Sequence, residues 1–161
     1  MVVNGWTLLF HEAIIGQLRN LAAAAKRARR ADPQGYQGNA NVKLLAALAK
    51  LMFEVIPTDP GRPEYRLGNT LGATYRHWFR AKFLNRFRLF FRYDSRARVI
   101  VYAWVNDERT LRQRGGRKDP YEVFRHMLVS GDPPNDWAAL VRSVGDLPAE
   151  ISSAAKDGET Q

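Results

Sequence analysis

The sequence predicts an α+β fold, with two helices near the N-terminus, a small antiparallel sheet in the middle and short helices at the end. Three observations carry that expectation. Apolar residues recur at three- and four-residue spacing through residues 11–31 and again through 40–55, which is the helical period. From Glu64 the period switches to two and holds to about residue 104. The chain has 161 residues and no cysteine, so it is one domain's worth of sequence that buries its core without disulfides.

The elements follow in order. GWTLLF (5–10) reads as a short first strand. HEAIIGQLRNLAAAAKRARRA (11–31) is a helix with Ile14, Leu18, Leu21 and Ala25 on one stripe, and Asp32-Pro33 stops it. Its basic last turn (Lys26, Arg27, Arg29, Arg30) suits the negative end of the helix dipole; a second nucleic-acid contact is the alternative. The second helix covers about Ala40–Val55 and ends at the rigid loop PTDPGRP. Tyr65–Leu67 is a candidate strand. Tyr75–Phe83 and Arg86–Tyr93 alternate about a turn at Leu84-Asn85. RVIVYAW (98–104) is apolar on both faces, as a central strand would be. These turn lengths predict a three-stranded meander. A short helix is expected over Asp107–Gln113, another starting at Asp119-Pro120 and ending at Gly131, and a last one after PPND. The organisation expected is one domain over 1–145 and a flexible tail over 146–161.

Composition limits the function classes. The 25 Lys and Arg against 16 Asp and Glu give a formal charge of +9, which favours a polyanionic partner. No apolar run approaches the roughly 20 residues that span a bilayer, and no signal peptide is apparent. The absence of cysteine suits a reducing cytoplasm, the expected location.

The stretch RHWFRAKFLNRFRLFFRY (76–93) concentrates that charge: six Lys or Arg and no acidic residue. By strand parity, Arg76, Trp78, Arg80, Lys82, Arg86, Arg88, Phe90 and Arg92 share one face, while His77 falls with Phe79 on the apolar face. Cations for phosphates and flat rings for bases are what single-stranded RNA requires. An ordinary solvated sheet face is the alternative, but only Asp94 is close enough in sequence to balance the cations.

The run RAKFLNRFRLFFRYDSRARVIVYAWVNDERTLR, with GGRKDPYEVFRHMLVSGDPPNDW after it, resembles the YhaV family of toxins within the RelE-like superfamily of small bacterial endoribonucleases. FRLFFRY, WVNDERTLR and PPNDW are its most specific parts, and the resemblance spans about residues 4–142. It implies a RelE-like fold, two N-terminal helices packed on a small antiparallel sheet with short C-terminal helices. It implies an mRNA-cleaving toxin that inhibits translation and growth, on the ribosome in many members of the superfamily. It implies a PrlF-like antitoxin, whose complex with the toxin binds its own operator DNA. The family's cation-x-cation pair matches Arg80 and Lys82, and its aromatic-Arg-Leu arginine matches Arg88. A further arginine and tyrosine of the superfamily correspond to Arg109 or Arg112, and to Tyr121, across an insertion GGRKDP.

Cleavage by the RNA's own 2′-oxygen needs a base, stabilisation of the phosphorane and an acid for the leaving 5′-oxygen. With no paired carboxylates on the basic face and only three scattered histidines, no cofactor is expected and the chemistry expected is metal-free. Lys82 is the candidate base, because neighbouring arginines should depress a lysine pKa. Arg80 and Arg88 are the candidate phosphate clamps, and Tyr121 is a candidate acid or stacking group, with a core-packed helix tyrosine as the alternative. Trp78 is a candidate base-stacking ring, with an edge aromatic packed on a helix as the alternative; Arg76, Arg86, Arg92, Arg109 and Arg112 are candidate RNA contacts. Asn106, Asp107 and Glu108 either orient the basic groups or carry protons, with a helix cap and acidic first turn as the alternative. His11 is expected to cap or pack, and His126 to pair with Glu122. A non-catalytic RNA- or ribosome-binding module, or a subunit docking an acidic protein, are the competing readings.

Overall fold

The computed structural model describes residues 1–106 and 119–159. It is a mixed α+β structure built on a five-stranded, mostly antiparallel sheet. The strands are β1 (Val2–Val3), β2 (Trp6–Phe10), β3 (Phe79–Phe83), β4 (Phe87–Asp94) and β5 (Val99–Val105), in the order β1-β2-β5-β4-β3. The meander β3-β4-β5 is antiparallel, as the turn lengths predict. The first strand enters differently: β2 runs parallel to β5, which puts β5 at the centre of the sheet. A parallel pair needs a long crossover connection, and everything from residue 11 to 98 supplies it.

Helix α1 (Glu12–Ala31) starts where His11 accepts a hydrogen bond from the Ala13 N–H, so this histidine both caps and packs. Its Nε2 meets Asp132 Oδ1 at 2.8 Å. Helix α2 (Ala40–Lys50) is capped by Asn39 and widens into a π-turn over Leu51–Val55, so the regular helix is shorter than its apolar stripe. Tyr102, fully buried, donates to the freed Met52 carbonyl at 2.7 Å. Helix α3 (Pro120–Val129) is capped by the Asp119 carboxylate on the Glu122 N–H, and Gly131 follows with φ +87°. Helix α4 spans Trp137–Ser143.

Both faces of the sheet are covered. Leu8, Phe10, Phe87, Leu89, Phe91, Ile100 and Tyr102 pack with Ile14 and Leu18 of α1 and Leu44, Leu45 and Leu48 of α2. On the other face Phe90, Val101, Ala103 and Trp104 pack with Trp78, Phe124 and Leu128 of α3 and Leu140 of α4. A bulge where β4 pairs with β5, between Phe90 and Phe91, turns Trp104 into this second core.

Several expectations change. Tyr65–Leu67 is not a strand: Pro63–Tyr65 is a 3₁₀ turn and Arg66 makes one bridge to Phe79. The strand expected from Tyr75 begins at Phe79, after a 3₁₀ turn at Ala73–Tyr75. The tail expected to fray forms helix α5 (Ala149–Glu159), because Leu147, Ile151 and Ala155 find apolar surface on the α1–α2 layer. The helix expected over 107–113 lies outside the described residues. No helix among the described residues is long and apolar enough to cross a membrane.

Removing the Asp119 cap leaves the first N–H groups of α3 without a side-chain acceptor. Asp119→Ala is therefore expected to lower stability by about 1 kcal/mol, read as a lower midpoint in urea with an unchanged slope.

Candidate active site

Arg80 and Arg88 project from β3 and β4 toward the start of α3, where Pro120 sets the helix and Tyr121 follows. The Tyr121 hydroxyl accepts from Arg80 Nε at 3.0 Å and from Arg88 Nε at 3.2 Å. The Arg80 guanidinium also lies 6.0 Å from the Tyr121 ring centroid. Backbone carbonyls hold the rest of each fork: Arg80 Nη1 donates to Glu64 O and Arg66 O, and Arg88 Nη1 to Phe87 O and Asn85 O. The Nη2 groups of both arginines have no partner among the described residues, so each fork keeps donors for an anion.

Electrostatics follow from that geometry. Partial burial pushes the Tyr121 hydroxyl up, but hydrogen bonds from Arg80 and Arg88, then their charges, outweigh it. The hydroxyl is held below the ordinary tyrosine value. Both of its acceptor positions are occupied, so what it offers a substrate is its proton.

Asn106 fixes the strand under the site. It is fully buried, accepts from the Arg88 backbone N–H at 2.6 Å and donates to the Arg86 carbonyl at 2.9 Å. It thereby orients the basic groups through their backbone; the helix-cap alternative turns on residues outside the described ones. Asp107 and Glu108 lie outside the described residues.

The other expected site residues are spread out. Lys82 is exposed and sits opposite Arg88 in the strand register. Arg86 is exposed at the hairpin end, next to Leu84 and Asn85, whose φ values are both positive. Arg76 is exposed in the preceding turn and donates to Asn69 Oδ1 at 2.8 Å. Arg109 and Arg112 lie outside the described residues. For Trp78 base stacking is corrected and packing on a helix is the alternative observed: it is fully buried, edge-on to Phe124 at 5.2 Å. Phe90 is likewise buried, stacked on Phe124 at 4.4 Å. Parity places Phe90 among the arginines correctly, but the C-terminal helices cover that part of the face. His77 is corrected too, from core to exposed, because it lies in the turn before β3 where strand parity does not apply. His126 is exposed on α3, with no Glu122 ion pair among the described residues.

Arg92 is half-buried between Trp78 and Trp137, 5.7 and 5.2 Å from their ring centroids, and donates through Nη1 to the Asn135 carbonyl at 2.5 Å. Neither Asn135 nor Trp137 is singled out by periodicity. The signal for them is the PPNDW stretch, where two prolines prevent helix until Asp136 caps α4.

A five-stranded sheet carrying two arginines on one tyrosine hydroxyl, each with unpartnered donors among the described residues, defines a class, a small basic protein with an anion-binding site. Residues 8–145 match the family described as a toxin with endonuclease activity, of a toxin–antitoxin system. The ribonuclease toxin YhaV of Escherichia coli K12 is 42% identical over 142 residues, covering 87% of this chain and 92% of that protein. Toxin YhaV of Escherichia coli O157:H7 has the same identity and coverage. No solved structure matches the chain. The chain belongs to the YhaV family of endonuclease toxins.

Proposed function

We propose that this toxin cleaves mRNA by metal-free transesterification at the Arg80–Tyr121–Arg88 site, and so inhibits translation and growth. The observation that carries the reading is the shared hydroxyl: two arginine Nε groups converge on Tyr121, and their Nη2 groups have no partner among the described residues. Lys82 in its unprotonated form, opposite Arg88, takes the 2′-proton. The 2′-oxygen attacks phosphorus, and Arg80 and Arg88 stabilise the added charge. Tyr121 gives its proton to the departing 5′-oxygen. The products are a 2′,3′-cyclic phosphate and a 5′-hydroxyl. The ribonuclease name of the Escherichia coli relative supports RNA as the substrate.

The RelE-like assignment, action on the ribosome, a PrlF-like antitoxin and binding of operator DNA by the toxin–antitoxin complex belong to the same proposal. They rest on the resemblance together with family membership. The test is primer extension on one mRNA incubated with purified protein, with and without ribosomes, beside Arg88→Ala. Discrete cuts ending in a cyclic phosphate and absent from the variant are expected. RNA that is retained by the protein but left intact in both lanes would overturn the catalytic reading.

The pH profile gives a second check. An acid acts only while protonated, so single-turnover cleavage should fall as pH rises through the Tyr121 value, below the ordinary pKa near 10. Arg88→Lys removes the Nε hydrogen bond that favours the phenolate. The falling limb should therefore move to higher pH in that variant.

A further inference from the structure

Beside Arg92, two side chains converge on one oxygen of a third. Trp78 Nε1 donates to Asn135 Oδ1 at 3.1 Å, and His77 Nε2 lies 3.1 Å from the same atom. An indole nitrogen only donates, so the Asn135 atom between them is the carbonyl oxygen. His77 must then carry its proton on Nε2, which leaves Nδ1 as a bare acceptor. By the same logic the Asn135 amide group turns its two N–H donors away from Trp78. They have no partner among the described residues.

The charge state supports this arrangement. Desolvation first, then the Arg92 charge, lower the His77 pKa, against the Asn135 hydrogen bond that raises it. The imidazole is therefore neutral at neutral pH, and the Nδ1 acceptor persists. Exposed His77 thus offers one fixed acceptor and half-buried Asn135 one fixed donor pair, beside an arginine held between two indoles. A hydrogen-bond pair with adjacent cationic charge matches the edge of an unstacked base and its phosphate.

The pair also lies along the strand that carries the cleavage site. Arg92 follows Arg88 by four residues on β4, about 13 Å along the strand. The group around Arg92 is therefore further along β4 than the arginines on Tyr121.

We propose that His77 and Asn135 form a base-reading subsite for a nucleotide flanking the cleaved bond of single-stranded RNA, with Arg92 supplying the adjacent positive charge. The proposal rests on the RNA-cleaving reading above and adds a source of sequence preference to it. Asn135 also ties the loop before α4 to Trp78, so the test must separate reading from tying.

The test measures affinity for four 2′-O-methylated homopolymeric decamers, which cannot be cut by 2′-oxygen attack, using fluorescence anisotropy. Wild type is compared with His77→Ala and with Asn135→Asp, which keeps the acceptor for Trp78 and removes the donors. Wild type is expected to favour one base by roughly threefold to tenfold, the range of one or two net hydrogen bonds. Both variants should lose that preference while keeping the wild-type thermal midpoint. No preference in wild type, the same preference in the variants, or equal weakening for all four bases would each overturn the subsite. Primer extension tests the RNA-cleaving reading separately. RNA left intact there would remove that reading, and the binding comparison stays legible.

Discussion

Replacing Tyr121 by phenylalanine is expected to slow single-turnover RNA cleavage about 100- to 10,000-fold, the usual range for loss of a general acid. The ring stays, so the edge contact with Phe90 at 5.7 Å and the fold stay with it. What disappears is a proton donor and the acceptor shared by Arg80 and Arg88. These two losses predict different chemistry. If the proton matters, an RNA with a 5′-bridging sulfur at the cut should be cleaved almost as fast by Tyr121→Phe as by wild type. A thiolate departs without protonation, since thiols ionise near 8.5. If the hydroxyl only orients the arginines, the sulfur substrate will be slowed as much as ordinary RNA. That result would reduce Tyr121 to a positioning residue.

Much of this arrangement is legible in the sequence, and the boundary of legibility has physical causes. Helix α1 is legible because twenty residues repeat one period and a cap marks their start. The central place of β5 is legible because apolar side chains on both faces need cover on both faces. Parity also assigns the faces of β4 correctly. It fails to say which residues of the basic face remain open. Phe90 and Trp78 sit beneath α3, while Arg80 and Arg88 lie at its N-terminal edge and Lys82 stays exposed opposite Arg88.

The missing information is long-range. Phe124, Met127 and Leu128 at helical spacing require an apolar partner surface, but nothing local says that the partner is the sheet's second face. The C-terminal helix α5 is hidden for the opposite reason. Ile151 and Ala155 have the spacing, yet small polar neighbours make the segment read as a tail. Tyr121 comes into view through the family resemblance, and only folding reveals that both arginines share it. His77 shows that a period assigned to a strand carries no weight outside it.

The second large effect concerns how the site is carried. Phe124 is fully buried, nearly parallel to Phe90 at 4.4 Å and to Trp104 at 6.1 Å, and edge-on to Trp78. It lies three residues after Tyr121 on α3 and is the main anchor of that helix on the sheet. Phe124→Ala is expected to cost about 3–5 kcal/mol, from lost transfer energy plus the cavity left behind. In a chain of this size that lowers the thermal midpoint by about 6–20 °C. A loss of stability alone would say little about the site, so the comparison is with Leu18→Ala on the opposite face. That substitution should cost about 2–5 kcal/mol as well, because Leu18 is fully buried. At a temperature where both variants remain folded, Leu18→Ala should cut RNA at close to the wild-type rate. Phe124→Ala should cut much more slowly, since a loosened α3 no longer holds the Tyr121 hydroxyl against the two guanidinium groups. Equal cleavage by the two variants would mean that Arg80 and Arg88 suffice to place the hydroxyl, and that the packing of α3 serves stability only.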